Sequence, residues 1–373
     1  MSISGFATVT GTEGYATRFR ENIPPQHYHT YHGLRVSSIG FGTYLGGVDE
    51  ETDERYAAAI TRAVELGCNV IDTGINYRCQ RSERAVGRAL AGLSERGVVS
   101  REEILVETKG GFIPYDTTRP ANPQQALAYF KDTFLSPGIC RASDIVAGCH
   151  CLAPGYLRHQ VNASRANLGL DTIDVYCLHN PETQLQQVSR ETLTTRLRDA
   201  FVALEEEVKA GHIRWYGVAT WQAFRARPGA LDGLDLADVL KLARMVAGQA
   251  HHLRAVQLPY NIGMPEAFTQ PTQRLDDRDV PFLVAAQQLD VFVSTCVPLM
   301  QGQLTKGLPP LVSEALPGFG TDAQRAIQFV RSTPGVHVGL VGMSDVAHVE
   351  ENLAVARRPP APYERFKALF VER

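Results

Sequence analysis

Four polar side chains suited to proton transfer follow apolar, strand-like segments of the sequence. Asp72 and Tyr77 come at the end of one such segment, Lys109 closes the next, and His179 closes the one after it. In a parallel sheet whose strands alternate with helices, groups at the carboxyl ends of the strands face the ligand. Any one of these residues alone is better explained by a structural role, such as a helix cap or a packed ring. Together they predict a common site.

Each of the four groups has a distinct part in a proton-transfer reaction. A free phenol has a pKa of about 10, and a cation beside it favours the phenolate. Lys109 is therefore expected to lower the pKa of Tyr77 and make it a better acid for a carbonyl oxygen. Asp72 is expected to keep Lys109 charged and oriented, and His179 to orient the carbonyl by hydrogen bonding. None of these groups can supply electrons, so the pattern predicts a redox cofactor.

The apolar pattern alternates between strand and helix eight times, which favours a (β/α)8 barrel. The predicted strands are 36–43, 69–73, 104–109, 173–179, 214–219, 255–258, 291–296 and 336–341. The predicted helices are 51–66, 82–93, 155–168, 197–210, 236–247, 280–289, 323–332 and 346–356. The alternative is an open doubly wound sheet, which usually carries a glycine-rich dinucleotide turn after its first strand. The first strand here runs into Gly42-Thr43-Tyr44-Leu45-Gly46-Gly47, which is not that turn.

Three segments depart from the strand and helix alternation. Residues 1–25 lack a sustained apolar period and are predicted to be a disordered or loosely docked N-terminal extension; residues 26–373 are predicted to form a single domain, with a β-hairpin that turns at Gly33. Residues 110–154 are predicted to be a long loop that covers the pocket. The aromatic residues available for this roof are Phe112, Tyr115, Tyr129 and Phe130.

Composition excludes several classes of partner. A net charge of -3 and the lack of a Lys/Arg-rich block argue against nucleic acid. No apolar run has the length of a bilayer span or of a signal peptide, so no membrane partner and a cytoplasmic location are predicted. The seven cysteines are scattered through apolar segments, which favours reduced thiols over a disulfide framework.

The sequence resembles the aldo-keto reductase superfamily from about residue 33 to residue 356. The matching pieces are Gly42-Thr43, Ile71-Asp72-Thr73 through Tyr77, Ser82-Glu83 with Val86-Gly87 and Ala89-Leu90, Lys109, His179-Asn180-Pro181, Gly217-Val218 and Glu351-Asn352. The resemblance implies a (β/α)8 barrel with a catalytic tetrad of Asp72, Tyr77, Lys109 and His179. It also implies hydride transfer from a nicotinamide to an aldehyde or ketone carbon, while Tyr77 protonates the oxygen.

The resemblance further implies a cofactor, with NADP(H) favoured and NAD(H) as the alternative. The implied cofactor-binding residues are Gly42, Thr43, Asp72, Thr220, Gln257, Cys296, Pro298, Leu299, Gly302, Gly342, Met343, Ser344, His348, Glu351 and Asn352. Backbone amides of the last helix, which opens after Gly342-Met343-Ser344, suit a phosphate, although a Ser or Asp side chain can cap this helix without any ligand.

Three of these positions depart from the family pattern. The fifth strand is followed by Ala219-Thr220-Trp221 where members commonly carry Ser-Asn, and Cys296 stands where an aromatic residue often stacks on the nicotinamide. Trp221 is the candidate to replace that ring. His348 stands where a basic residue often grips the 2′-phosphate, and Asp345 lies nearby.

Two other functions fit parts of the pattern. The departures at Ala219, Cys296 and His348 favour a nucleotide-binding sensor that keeps the barrel but turns over little. A metal-dependent barrel hydrolase needs several ligands at strand ends, where only Asp72 and His179 qualify.

Two further sets of residues weakly indicate a metal-binding site. They are the histidines 27, 29 and 32 and the cysteines 140, 149 and 151, and both lack paired zinc-ligand spacing.

Overall fold

Eight parallel strands close into a barrel in the computed structural model, which describes residues 2–370. The strands in chain order are Tyr28–Tyr31 (β1), Leu34–Ser37 (β2), Ile39–Gly42 (β3), Val70–Asp72 (β4), Leu105–Gly110 (β5), Ile145–Val146 (β6), His150–Cys151 (β7), Ile173–His179 (β8), Ile213–Ala219 (β9), Leu253–Pro259 (β10), Pro271–Leu275 (β11), Arg278–Pro281 (β12), Phe292–Cys296 (β13) and Val338–Gly342 (β14). The barrel strands are β3, β4, β5, β8, β9, β10, β13 and β14, and β14 pairs with β3 to close the ring. The predicted (β/α)8 barrel is therefore confirmed.

At least one helix separates each barrel strand from the next. The helices in chain order are Val9–Arg18 (α1), Glu50–Glu65 (α2), Arg81–Glu95 (α3), Pro123–Phe130 (α4), Pro154–Leu168 (α5), Arg190–Lys209 (α6), Leu236–Ala247 (α7), Glu266–Thr269 (α8), Phe282–Gln288 (α9), Pro310–Ala315 (α10), Asp322–Arg331 (α11), Val346–Leu353 (α12) and Tyr363–Lys367 (α13). The unpredicted hairpin of β11 and β12 precedes α9. Alternate strand residues point into the barrel or out toward the helices.

The first predicted strand, 36–43, is in fact two strands. Its beginning belongs to β2, which pairs antiparallel with β1, and its end forms β3 in the barrel. Ser37 marks the change: its amide donates to Asn69 Oδ1 at 2.8 Å and its hydroxyl to Ile39 O at 2.9 Å. An uninterrupted apolar run cannot reveal a change of pairing partner.

The predicted hairpin at Gly33 is confirmed. His32 and Gly33 have φ values of 46° and 82°, which are the left-handed conformations that a two-residue hairpin turn requires. The hairpin covers the amino ends of the barrel strands. Tyr31 packs in the barrel interior, and its hydroxyl donates to Arg254 O at 3.1 Å and Asp290 O at 3.0 Å.

The N-terminal segment is docked, so the prediction of a disordered or loosely docked extension is wrong. Thr8 caps α1, with Gly11 N donating to its hydroxyl at 3.0 Å. Ala7 and Tyr15 are fully buried, and the Tyr15 hydroxyl donates to Val64 O at 2.5 Å. The segment buries single residues and backbone groups instead of one apolar face, which is why periodicity did not reveal it. The division into an extension and one domain stays a prediction.

Segment 110–154 has structure of its own. It contains α4 and the short ladder of β6 and β7, and its side chains Phe134, Cys140 and Cys151 form a separate apolar cluster with Tyr156. Its role as a cover for the pocket stays a prediction. Within residues 2–370, no helix combines the length and the apolar character that a bilayer crossing requires.

Candidate active site

A cavity of about 1160 Å³ opens at the carboxyl ends of the barrel strands. Tyr77 and His179 lie in its wall together with Glu351 and Asn352, which belong to the last βα unit. A pocket for one drug-sized ligand measures roughly 300–1000 Å³. This cavity therefore has room for a ligand larger than one small metabolite.

A buried ion pair forms the base of the predicted tetrad. Lys109 Nζ donates to Asp72 Oδ1 at 2.5 Å and to Thr73 O at 2.7 Å, and the lysine side chain is fully buried. Burial lowers the pKa of Lys109, but the neighbouring acidic groups, Asp72 first, outweigh it and raise this pKa above its usual range. Lys109 is therefore charged at neutral pH, and Asp72 is its counter-ion.

Tyr77 lies directly against this ion pair. Lys109 Nζ is 4.9 Å from the centroid of the tyrosine ring. Burial raises the pKa of Tyr77 and Lys109 lowers it only in part, so the pKa remains above its usual value. Lys109 does lower the pKa of Tyr77, as predicted. The predicted net lowering of this pKa is wrong, because desolvation raises it by more. Tyr77 is thus a protonated phenol at neutral pH, which suits a proton donor.

His179 completes the tetrad as a neutral imidazole. Its enclosed position lowers its pKa well below the usual value, and Lys109 adds to this shift. Its ring centroid is 5.8 Å from that of Tyr77 and 5.0 Å from that of Phe112. His150 Nε2 donates to His179 O at 2.7 Å. A neutral imidazole carries one N–H and can donate one hydrogen bond to a carbonyl oxygen.

Most of the residues predicted to bind a cofactor line this cavity. They are Gly42, Thr43, Asp72, Thr220, Gln257, Cys296, Pro298, Leu299, Gly302, Gly342, His348, Glu351 and Asn352. Met343 and Ser344 are not part of the lining. Met343 is buried in the hydrophobic core between barrel and helices, so a cofactor contact by this side chain does not fit its position. β14 ends at Gly342, and the next side chain points away from the cavity.

The cavity lining also includes residues that the sequence did not indicate. Tyr44 packs edge-on against Tyr77, with ring centroids 5.0 Å apart; its place directly after Gly42-Thr43 was a usable signal. Lys306 and Thr321 also line the cavity, and the Thr321 hydroxyl donates to Glu351 Oε1 at 2.7 Å. Their positions depend on the tertiary course of the chain after β13, which no local pattern encodes. Of the four aromatic residues assigned to the roof, Phe112 lines the cavity and the other three do not.

The shape and the donor groups of the wall fit a nicotinamide dinucleotide. A Cβ added at Gly342 would meet no protein atom within 4 Å, so the backbone leaves open space there. Thr220 Oγ1 is buried without a hydrogen-bond partner in residues 2–370. The loop that carries Thr220 is held by Glu182 Oε1, which accepts from Trp221 N at 2.7 Å. An unpaired hydroxyl on a fixed loop is suited to a polar ligand.

The helix amides predicted to bind phosphate already have a protein partner. Asp345 Oδ1 caps α12 by accepting from Ala347 N at 2.9 Å. The other oxygen of Asp345 lies 3.8 Å from Arg55 Nη2. A phosphate therefore competes with a cap at this helix, and Arg55 offsets the negative charge of Asp345.

The backbone after Tyr77 is strained and anchored by a buried ion pair. Arg78, Cys79 and Gln80 have φ values of 48°, 55° and 67°, a conformation that costs about 1 kcal/mol or more per non-glycine residue. Arg78 Nη2 donates to Asp53 Oδ1 at 2.5 Å, and its Nε donates to the backbone oxygen of residue 47 at 2.6 Å. These contacts fix the loop that presents the phenol.

Metal-binding geometry is absent from residues 2–370. No three His, Cys, Asp or Glu side chains in this range are placed to share an ion. The finding covers both groups with a weak metal signal, the histidines 27, 29 and 32 and the cysteines 140, 149 and 151.

Comparison with known proteins places this geometry in a family. A sequence profile described as the Aldo/keto reductase family matches residues 38–235. An aldo-keto reductase of Mycobacterium tuberculosis is 28% identical over 177 residues, which are 48% of this chain and 44% of the relative. The chain thus spans about half the length of this relative.

Two further proteins match over most of the chain. L-galactose dehydrogenase of Arabidopsis thaliana is 25% identical over 347 residues, 86% of this chain and 85% of that protein. The crystal structure of an aldo/keto reductase from Klebsiella pneumoniae in complex with NADP and acetate has a TM-score of 0.59 at 21% identity, and the match covers 92% of this chain and 95% of that chain. The structural likeness supports the fold, and the profile covers more than half of the sequence. The chain belongs to the aldo/keto reductase family.

Proposed function

We propose that the protein reduces an aldehyde or ketone to an alcohol, or catalyses the reverse oxidation, with NADP(H) or NAD(H) as hydride carrier. The observation that carries the proposal is the contact of Tyr77 with the buried Lys109–Asp72 pair, in the wall of one large cavity. A bound nicotinamide supplies the hydride that adds to the carbonyl carbon. Tyr77 gives its hydroxyl proton to the carbonyl oxygen.

The ion pair makes this proton transfer favourable. Loss of the proton leaves a phenolate, and the adjacent ammonium of Lys109 stabilises that negative charge in a site of low polarity. Asp72 holds the ammonium in place at 2.5 Å. After turnover, Tyr77 recovers its proton from solvent through the open side of the cavity.

His179 orients the substrate in this mechanism. Its neutral ring donates a hydrogen bond to the carbonyl oxygen and shares the charge that develops there. Phe112 packs edge-on against the ring and His150 holds its backbone oxygen. The imidazole is therefore restricted in orientation before the substrate enters.

Residues at both ends of the cavity are proposed to hold the dinucleotide. Thr220 and Gln257 suit the carboxamide of the nicotinamide: Gln257 Nε2 already donates to Asp72 Oδ1 at 2.9 Å, which leaves its Oε1 to accept. Glu351 and Asn352 are assigned to the adenine side by family resemblance. These contacts orient the carrier and exclude water from the reacting atoms.

NADP(H) is the favoured form of the carrier. The family resemblance supports it, and the basic residues Lys306 and His348 line the cavity. Asp345 is engaged by Ala347 N and lies near Arg55, so its repulsion of a 2′-phosphate is reduced. NAD(H) remains the alternative.

The replacement Tyr77→Phe tests the proposal directly. The variant is expected to lose carbonyl reduction by about 10²–10⁴-fold, the usual contribution of a positioned acid, while it keeps the affinity for reduced cofactor. The matched control is Tyr176→Phe. The Tyr176 hydroxyl is buried, lies outside the cavity lining and has no hydrogen-bond partner among residues 2–370. Full activity of Tyr77→Phe on a panel of carbonyl compounds would refute the mechanism and favour the sensor.

A further inference from the structure

A second carboxyl group is buried beside the Lys109–Asp72 pair. Glu107 lies two residues before Lys109 on β5, so both side chains point into the barrel, and it is fully buried. Its Oε1 accepts hydrogen bonds from Gln257 Nε2 at 2.9 Å, Ser294 Oγ at 3.3 Å and Cys177 Sγ at 3.4 Å. Its Oε2 is buried and has no hydrogen-bond partner in the described residues. A core position without chemistry would be better filled by an apolar side chain.

One amide group joins the two carboxyl groups. Gln257 Nε2, which donates to Glu107 Oε1, also donates to Asp72 Oδ1 at 2.9 Å. The same Asp72 oxygen accepts from Lys109 Nζ. Glu107 is therefore separated from the ion pair by one bridging amide group and lies inside the same region of low polarity. A change in its charge must act on Lys109 and, through it, on Tyr77.

We infer that Glu107 is a positioning residue that controls how strongly Lys109 supports proton donation by Tyr77. When Glu107 is protonated, the charge of Lys109 is shared between Asp72 and the phenol. When Glu107 is ionised, a second negative charge cancels part of the lysine's field at the phenol. Tyr77 is then a weaker acid, so reduction is faster when Glu107 is protonated.

The charge state of Glu107 changes near neutral pH. Burial raises its pKa to about 7, with Asp72 adding to the rise and Lys109 opposing it. The other titratable groups that face this site are Asp72 on β4, Lys109 on β5, Cys177 on β8, Cys296 on β13, and Tyr77 and His179 at the cavity. Burial raises the pKa values of both cysteines and of Tyr77, and lowers that of His179 well below its usual value. Burial also raises the pKa of Asp72, with Lys109 opposing the rise. Glu107 is the group assigned to the transition near pH 7, and Glu107→Gln distinguishes it from Asp72.

A resonance of Tyr77 reports this link without any cofactor or substrate. The probe is the ¹³Cζ signal of labelled tyrosine in the full chain, assigned by its loss in Tyr77→Phe. We expect the Tyr77 signal to shift with an inflection near pH 7 in the native protein and to lose that inflection in Glu107→Gln. An inflection that persists unchanged in Glu107→Gln would overturn the inference.

The chain offers a matched control on α3, which packs against the outer face of β5. Glu83 is also fully buried, and accepts from Thr108 Oγ1 at 2.7 Å and Asn167 Nδ2 at 2.9 Å. Glu83→Gln makes the same chemical change outside the barrel interior and is expected to keep the inflection of Tyr77. If Glu107→Gln does not fold, Ser294→Ala removes one donor to Glu107 and is expected to raise the pH of the inflection. An unshifted inflection in Ser294→Ala would equally overturn the inference.

The kinetic form of the test rests on the proposed function. With bound NADPH and a carbonyl compound that the native protein reduces, the single-turnover rate is expected to fall through the inflection and to level off at a lower value above it. Glu107→Gln is expected to lack this fall, and Glu83→Gln to show it; a parallel fall in Glu107→Gln contradicts the inference. A protein that shows the Tyr77 inflection but reduces no carbonyl compound refutes the proposed function and leaves the link between Glu107 and Tyr77 in place.

Discussion

Two buried ion pairs lie at opposite ends of the same barrel. At the amino ends of the strands, Arg101 Nη2 donates to Asp174 Oδ2 at 2.5 Å, and the carboxylate also accepts from Ala7 N at 2.7 Å and Val106 N at 2.8 Å. At the carboxyl ends, Lys109 and Asp72 are paired at the same distance. Both pairs are almost completely shielded from solvent.

The difference lies in what surrounds each pair. Two backbone amides donate to Asp174, and one of them, Ala7 N, belongs to the docked N-terminal segment. The pair of Lys109 and Asp72 instead contacts a phenol at a cavity and has a second carboxyl group beside it. The same interaction therefore stabilises the fold at one end and, in the proposed mechanism, supports chemistry at the other. The neighbouring groups, and not the pair itself, decide the role.

Removing the cation from each pair should separate these roles most clearly. Lys109→Met and Arg101→Met each leave a buried carboxylate unpaired, so each is expected to lower the free energy of unfolding by about 3–5 kcal/mol. Lys109→Met is expected to abolish carbonyl reduction as well, because the phenolate loses its stabilising charge. Arg101→Met should retain the native rate per folded molecule at low temperature. Urea unfolding measures the stability of both variants, and single-turnover rates measure their carbonyl reduction. A native rate in Lys109→Met would show that the two ion pairs do not differ in role.

The pH dependence of the unfolding free energy should show how much the burial of Glu107 destabilises the fold. The pKa of Glu107 is about 7 in the folded state against 4.5 ordinarily, so the folded state holds its proton more tightly and stability is lost as pH rises between these values. Each pKa unit corresponds to about 1.4 kcal/mol. Between pH 4 and pH 8, the native protein should therefore lose about 3 kcal/mol of unfolding free energy relative to Glu107→Gln. Equal losses in both proteins, measured by urea unfolding, would contradict the assignment.

The smallest effect is expected at the helix cap of the N-terminal segment. Thr8→Ala removes the side-chain acceptor for Gly11 N and is expected to cost about 1 kcal/mol of unfolding free energy. The rate of carbonyl reduction should not change, because this cap lies at the end of the barrel opposite the cavity. A loss of activity larger than the loss of stability would mean that the two ends are coupled.

The sequence is most informative where a polar residue stands at the end of an apolar, buried strand. Asp72, Lys109 and His179 are polar residues at the ends of apolar strands, and this conflict is enough to predict where the site lies. The barrel follows from the regular alternation of strand and helix. Both predictions rest on signals within a few residues of chain.

What the sequence did not reveal depends on distant contacts. The raised pKa of Tyr77 results from desolvation by the assembled site, and Thr321 reaches the cavity only through the course of the chain after β13. By sequence, Glu107 is one of several polar residues in its strand. Only the assembled barrel brings Gln257 and Ser294, from two other strands, within hydrogen-bond distance of it. Ala7 is buried by contact with β8 instead of by its own segment.

Cofactor binding is the most direct test of the chemical role assigned to the carboxyl end of the barrel. Titration of NADPH and NADH fluorescence with the purified full chain needs no knowledge of the substrate. We expect NADPH to bind at micromolar levels or tighter, that is, with a free energy of about -8 kcal/mol or more favourable, and NADH to bind more weakly. If neither nucleotide binds at these levels, the cavity does not hold a dinucleotide, and the proton-donor role of Tyr77 loses its hydride source.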